Sequence, residues 1–424
     1  MGIFDLASPL VNKFLARFAS HFTKRQFLYF SLYVYLLLKD VKRNNMEIMA
    51  KRASCNYQNL QYFFSESKWD HRKINDERIR CIEKQRTTAS TVDGVLAIDD
   101  SSCPKIYAKK TEGARYQYCG TFGREAVCNV FVSSAFVSKR KIFPIDFRFY
   151  KKEVEFDADT IHLFKSKIQL AEELVDDAVT RGIRFSAVVF DSWYAHSSYL
   201  ITSLNSKGLS FVGEAKSNRY ISFYHPGKRR RCFVQQDELV TLVKEYYWDK
   251  IKPVTMRKTK KGLIKEMTYQ FKGKLKDCSV PLKFVILFGS YGNKDTKNIH
   301  ILITNDTRYS AQKILNTYRL RWGIENCYRE LKDFFMMDQY QVRKQERIER
   351  HWALCHVAWT LAYWVKQNGY LRKSIEGIPK TLNEVKQALD HLICYPQIIK
   401  AAKDPQLLAT QMNIKSGKII NRAS

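Results

Sequence analysis

The chain has no apolar run long enough to cross a bilayer. Its best stretches, 28–38 and 352–365, are too short and read as buried helices. The amino terminus, MGIFDLASPLVNKFLARF, lacks the basic, apolar and cleavage segments of a secretory signal. Met1-Gly2 is not followed by the Ser or Thr of an acylation signal. None of the ten cysteines forms a Cys-x-x-Cys pair, so the sequence supports no zinc site. Scattered cysteines of this kind suit small buried positions in a reducing, cytoplasmic compartment, nucleoid-associated if the source is prokaryotic. Acid is scarce relative to base. Against 72 Lys and Arg stand 42 Asp and Glu, a formal charge of +30. Such an excess calls for a polyanionic partner, and DNA comes first because cations laid along phosphates release counterions. An acidic membrane surface is disfavoured, since the basic residues are spread along the whole chain and not gathered in one tract. Hydrophobic residues make up 45%, enough for folded cores, and 424 residues exceed one ordinary core.

Residues 1–88 carry helical periodicity, with two short helices around a turn near 54–56 in helix-turn-helix outline. Tyr57, Gln58, Asn59 and Gln61 would open the second helix, where such side chains reach bases or phosphates. A plain helical hairpin is the alternative. From about 92 the period changes. VLAI (95–98) ends in Asp99-Asp100, strand-like runs follow at 127–137 and 141–150, and a helix is expected over 157–181. A second buried strand, FSAVVF, stops at Asp191. Strands separated by a helix predict an α/β layer around a buried sheet. The stretch 209–300 is β-rich and basic, with 18 Lys and Arg against 7 Asp and Glu between Glu214 and Lys283. Arg229, Arg230 and Arg231, with Lys258 and Lys260, stand among interleaved aromatics and suit a nucleic-acid surface. A lysine-protected sheet edge is the plainer reading. Beyond 346 the chain again reads as helical, with Trp352, Trp359 and Trp364 as core, and it ends in a basic tail. The resulting domains are 1–88, 89–208, 209–300, 301–345 and 346–424.

The most telling run is LNTYRLRWGIENCYRELKDFF, which holds Tyr318, Arg321, Glu325 and Lys332. Read as one helix over 310–335, it places the four at about 0°, 300°, 340° and 320° around the axis. One face would pack and the other would present a carboxylate among cations and aromatics. A merely solvated amphipathic face is the bland alternative. Two buried strands each end in an acid, at Asp99-Asp100 and at Asp191, where α/β folds place ligands. A turn at Asp100 and a helix cap at Asp191 explain each acid singly. Together with Glu325 they form a different object. Three carboxylates from two strands and a helix can hold two divalent metals about 4 Å apart for phosphodiester chemistry. Hard oxygen ligands suit Mg2+ or Mn2+.

These motifs resemble the DDE transposases of the insertion-sequence-four group, whose catalytic core is RNase H-like. The resemblance rests on the acid after LAID, the acid after AVVF, the β-rich insertion and the Tyr-Arg-Glu-Lys spacing, and it covers roughly 90–340. It implies an α/β, RNase H-like core with a β-rich insertion between helical terminal regions. Asp100, Asp191 and Glu325 would be the catalytic, metal-binding triad for two Mg2+, with Mn2+ as substitute. Asp100 is preferred over Asp99 because members carry a strand-terminal acid before Thr or Ser, and because strand alternation sends the two Asp to opposite faces. Tyr318, Arg321 and Lys332 would grip phosphates, and Trp322 would stack on an unpaired base. The implied activity is cutting transposon ends and joining the 3′-hydroxyl to target DNA, by a homodimer on double-stranded DNA. A domesticated relative that binds DNA without cutting is the alternative. Some hairpin-forming members carry a tryptophan on the strand before the motif. Here, in NIHILITND, the matching residue is His300, which puts the usual base-flipping hairpin arrangement in doubt.

Overall fold

A computed structural model describes residues 9–39, 46–53, 55–259, 262–290, 299–371 and 381–390. Lys260, the turn residue Ser54 and the basic tail lie outside them. The strands are β1 Val95–Pro104, β2 Arg115–Cys119, β3 Arg124–Val137, β4 Ile142–Tyr150, β5 Val188–Val189, β6 Phe211–Glu214, β7 Ile221–His225, β8 Arg230–Val234, β9 Lys252–Thr259, β10 Gly262–Gly273, β11 Leu282–Ser290 and β12 His300–Thr304. The helices are α1 Pro9–Leu15, α2 Lys24–Leu38, α3 Met46–Ala53, α4 Tyr57–Ser65, α5 His71–Glu83, α6 Lys167–Thr180, α7 Ser192–Ala195, α8 Ser198–Ser206, α9 Gln236–Tyr246, α10 Ala311–Arg319, α11 Gly323–Asp333 and α12 Gln345–Asn368. The chain divides into two compact units, one built from 90–108 and 113–328, the other from the terminal regions with 109–112.

The first unit is organised on one large sheet. The apolar run VLAI makes β1 a central strand, paired antiparallel with β3 and parallel with β5. β4 flanks β3, and β6 runs parallel to β5. The order β4-β3-β1-β5-β6, with β1, β5 and β6 parallel, is the RNase H-like arrangement expected from the sequence. Helix α6 supplies the crossover into β5 that a parallel strand requires. Its Ser166 cap, with Gln169 reaching back, closes a capping box. The basic stretch after 209 does not form a sheet apart. β12 pairs with β6, and β11, β10 and β9 extend the same sheet in turn. Among the described residues only the β7–β8 hairpin stands off it.

The motif run departs from the single helix predicted. It forms α10 and α11, separated by a 3-10 turn at Leu320–Trp322. The angles reckoned for one continuous helix therefore do not carry across it, because a 3-10 turn advances about 120° per residue. Gly323 follows the turn where the chain presses on β3. A Cβ there would meet Val137 Cγ1 at 2.4 Å, a spacing only glycine tolerates. Beyond it Ile324, Cys327, Tyr328 and Leu331 are buried at helical spacing.

The terminal unit is helical. α3 and α4 form the expected pair, with Asn56 capping α4 through Gln58 N–H. Trp352, Trp359 and Trp364 of α12 are buried core residues, as expected. Their indole N–H groups donate to Met337 O, Glu330 Oε2 and Gln85 Oε1, which removes the cost of burying them. Among the described residues no helix is long and apolar enough to cross a membrane.

Candidate active site

Asp99 and Asp100 occupy successive positions of β1, and the pleat sends them to opposite faces. Asp99 lies opposite Ser133 of β3, whose hydroxyl meets Tyr328 OH of α11 at 2.8 Å. Its face is thus the one covered by the motif helices. Arg321 reaches Asp99 Oδ2 at 3.2 Å with one nitrogen and Glu325 Oε1 at 3.1 Å with another. The guanidinium therefore bridges strand and helix. Asp100, on the α6 face, accepts from Lys167 Nζ at 2.8 Å and from Tyr194 OH at 3.3 Å. Lys167 also lies over the rings of Tyr150 and Trp193. Asp191 follows β5 and caps α7, accepting from the N–H groups of Trp193 and Tyr194 at 3.0 and 3.2 Å.

These acids feel one another. Burial, then the charges of Asp191 and Asp100, push the Asp99 carboxyl up to about 7, with Arg321 pulling the other way. Burial also raises Asp191, against the N–H groups and Arg321 that favour its charge. Four carboxylates share two paired cations, Arg321 and Lys167. The pocket is locally acidic inside a chain of formal charge +30. That charge and the all-oxygen donor set fit a hard divalent cation. The acids themselves are spread around the guanidinium. Among the described residues no three His, Cys, Asp or Glu stand close enough together to hold a metal ion.

The other expected site residues fall at different places. Tyr318, in α10, lies under Arg321, whose Cζ is 6.0 Å from the ring centroid. Its hydroxyl donates to Glu214 Oε2 at 2.8 Å, and burial followed by that carboxylate's charge raises the phenol. Trp322 is 61% exposed. Lys332 stands in the last turn of α11, four residues past the end of the sheet-bearing unit. Arg229, in the left-handed region at φ 50°, and Arg230 and Arg231 form the exposed rim of the β7–β8 hairpin. Lys258 lies on β9. Sequence reading missed Asp99 as the partner of Arg321, Lys167 as the partner of Asp100, and Glu214. The helix expected over 157–181 begins only at Lys167, after two 3-10 turns, so the sequence reading placed this lysine mid-helix and gave no signal for its role.

Acids within β1 and just after β5, beside a helix bearing Glu325, are the setting of DDE endonucleases. The family model described as DDE superfamily endonuclease matches residues 17–261, more than half the chain, and the protein belongs to that family. A second model, transposase DDE domain, matches 165–361. A probable transposase for insertion sequence element IS701 from Microchaete diplosiphon is 27% identical over 188 residues, 43% of this chain and 47% of that protein. The chain thus spans about half the length of that relative.

Proposed function

We propose that the chain is a DNA transposase of the insertion-sequence-four group, cutting transposon ends and joining the freed 3′-hydroxyl to target DNA. The observation that carries this reading is the Asp99–Arg321–Glu325 bridge beside Asp100 and Asp191. It ties Asp99 of β1 to Glu325 of α11 through Arg321, over the Tyr318 ring. The DDE family membership and the IS701 relative support it. Asp100, Asp191 and Glu325 are the residues we assign by resemblance to two Mg2+, or Mn2+, which would activate a water or hydroxyl and stabilise the leaving oxygen; Asp99, which shares the Glu325 face where Asp100 does not, is the alternative strand acid for that role. Arg321 holds Glu325 against β1 and offers its charge to the scissile phosphate. Lys332 adds a second cation on the same helix. Tyr318 supports Arg321 through its ring, and the exposed Trp322 would stack on a base.

Outside the pocket, Arg229, Arg230 and Arg231, with Lys258 and Lys260, contribute sequence-independent contacts to the DNA backbone. The region 1–88 is a DNA-binding region, 89–208 and 301–345 are the two parts of the core, 209–300 is the basic insertion, and 346–424 is the helical carboxyl region. A homodimer would pair two ends. A domesticated relative that binds without cutting is the second reading, favoured by the ion pairs that fill the acidic pocket. Cleavage of DNA flanking the gene, with Mg2+, separates the two. Wild type is expected to cut at a defined boundary, and Glu325→Gln to bind the same DNA without cutting. Binding by both, with no cleavage in Mg2+ or Mn2+, selects the domesticated reading.

A further inference from the structure

Tyr318 has one hydroxyl hydrogen, and Glu214 takes it. A phosphate oxygen only accepts, so Tyr318 cannot bond a DNA phosphate and Glu214 at once. The second oxygen of Glu214 is also engaged. Oε1 lies 2.6 Å from His300 Nδ1. His300 opens β12 and Glu214 closes β6, and these strands pair antiparallel. The two side chains meet on the face where α10 brings Tyr318 and where Arg321 acts on Glu214. With Nδ1–H directed at the carboxylate, the ring presents Nε2 outward. The His300 side chain is 54% exposed, and among the described residues Nε2 has no hydrogen-bond partner. Glu214 is only 24% exposed, so it is the buried end of the pair.

We propose that His300, oriented by Glu214, is a phosphate-contacting residue of this site, donating from Nε2 to the DNA backbone where the Tyr318 hydroxyl cannot. The inference rests on the DNA-processing reading above. Glu214 is the positioning residue. It fixes the ring, holds Tyr318 under Arg321 and favours the charged imidazolium, the form with two donors. The hydrogen bond to Glu214 raises His300 above its ordinary value, against partial burial. Burial pulls Glu214 upward, but its bonds from His300 and Tyr318 prevail and lower it. Among the described residues the acids facing His300 are Glu214 of β6 and Glu266 of β10, while its β11 neighbour is the apolar Leu287. The contact is therefore present at low pH and lost as pH rises through the raised imidazolium value.

The test is fluorescence anisotropy with the full chain and a fluorescein-labelled, 5′-phosphorylated blunt duplex in EDTA, between about pH 5 and 8. Wild-type affinity is expected to fall with rising pH roughly tenfold more than that of His300→Gln. The salt slope of wild type should be steeper by about one at the acid end, a difference His300→Gln lacks. Glu214→Gln should move the wild-type transition to lower pH. A His300→Gln protein with the wild-type pH profile and salt slope overturns the proposal. An unchanged transition in Glu214→Gln overturns the positioning role. Failure of every variant to bind duplex at any pH overturns the DNA-processing reading instead.

Discussion

Arg321 is the residue on which the pocket turns. Its planar fork spans two acids from different elements, a task a point-charge ammonium cannot perform. Arg321→Lys is expected to lose roughly ten- to a hundredfold in single-turnover cleavage, measured with saturating Mg2+, with a much smaller loss in duplex affinity. On the opposite face, Asp146 is buried between Arg148 and Arg181, at 2.9 and 2.7 Å, and Asp177 also pairs with Arg148. Burial alone would raise Asp146, but the two guanidiniums hold it well below the usual carboxylate range. A depressed carboxylate contributes stability that is present above its unfolded value, about 3.9, and is lost as pH falls from there toward the folded value. Asp146→Asn should cost about 3–5 kcal/mol by denaturant melts at neutral pH, because it strands buried cations. The deficit should shrink on acidification toward pH 2 to 3. Asp100, Asp191 and Glu325 were visible in the sequence because each follows an apolar run or sits in a patterned one, although β1 continues to Pro104 and does not end at Asp99-Asp100 as expected. Asp99, Lys167 and Glu214 were not, since their roles depend on partners 222, 67 and 104 residues away.

At the scale of elements, β1, β3, β4, α6 and β5 were legible in order from hydrophobic period, whereas β2 and α8 were not read, α7 only as the helix Asp191 would cap, and α6 begins at Lys167 rather than 157. The break at Leu320–Trp322 was not read either. Three residues in a 3-10 turn depart from α-helical phase by only about 60°, and no Pro marks the place. Gly323 was the one clue, and its meaning depends on Val137, which lies far off in sequence. Gly323→Ala should destabilise by about 1–3 kcal/mol through overpacking, read as a lower urea midpoint. Val137→Ala in the same chain should recover part of that loss. Full additivity of the two substitutions would mean that α11 does not press on β3. The helix cap at Asp191 and its place at the pocket were offered by the sequence as competing explanations. Both hold at once: the carboxyl caps α7 and is also coupled to Arg321 and Asp100.

At the scale of the whole molecule, the excess of Lys and Arg would set the salt dependence of the proposed duplex binding. Neutralising six or more phosphates would cost roughly a thousandfold or more in affinity between about 50 and 200 mM salt. Replacing Arg229, Arg230 and Arg231 by Ala together should flatten the log–log salt slope by about three while leaving the melting temperature unchanged, because all three side chains are exposed. An unaltered slope would remove the β7–β8 rim from the DNA path. Composition pointed to a polyanionic partner. The merging of the basic stretch into the core sheet was not readable, since strand pairing between β6 and β12 is non-local.

That merging has a consequence for how the chain is made. β6 emerges from the ribosome early, yet the strand that seals its open edge begins at His300, 86 residues after Glu214. At ordinary translation speeds the bare edge waits roughly 4–17 seconds for its partner. During that interval two nascent chains on neighbouring ribosomes could pair edge to edge. The folded yield per message is therefore expected to fall as ribosomes crowd the transcript, a drop read by comparing soluble protein from a strongly and a weakly initiated message.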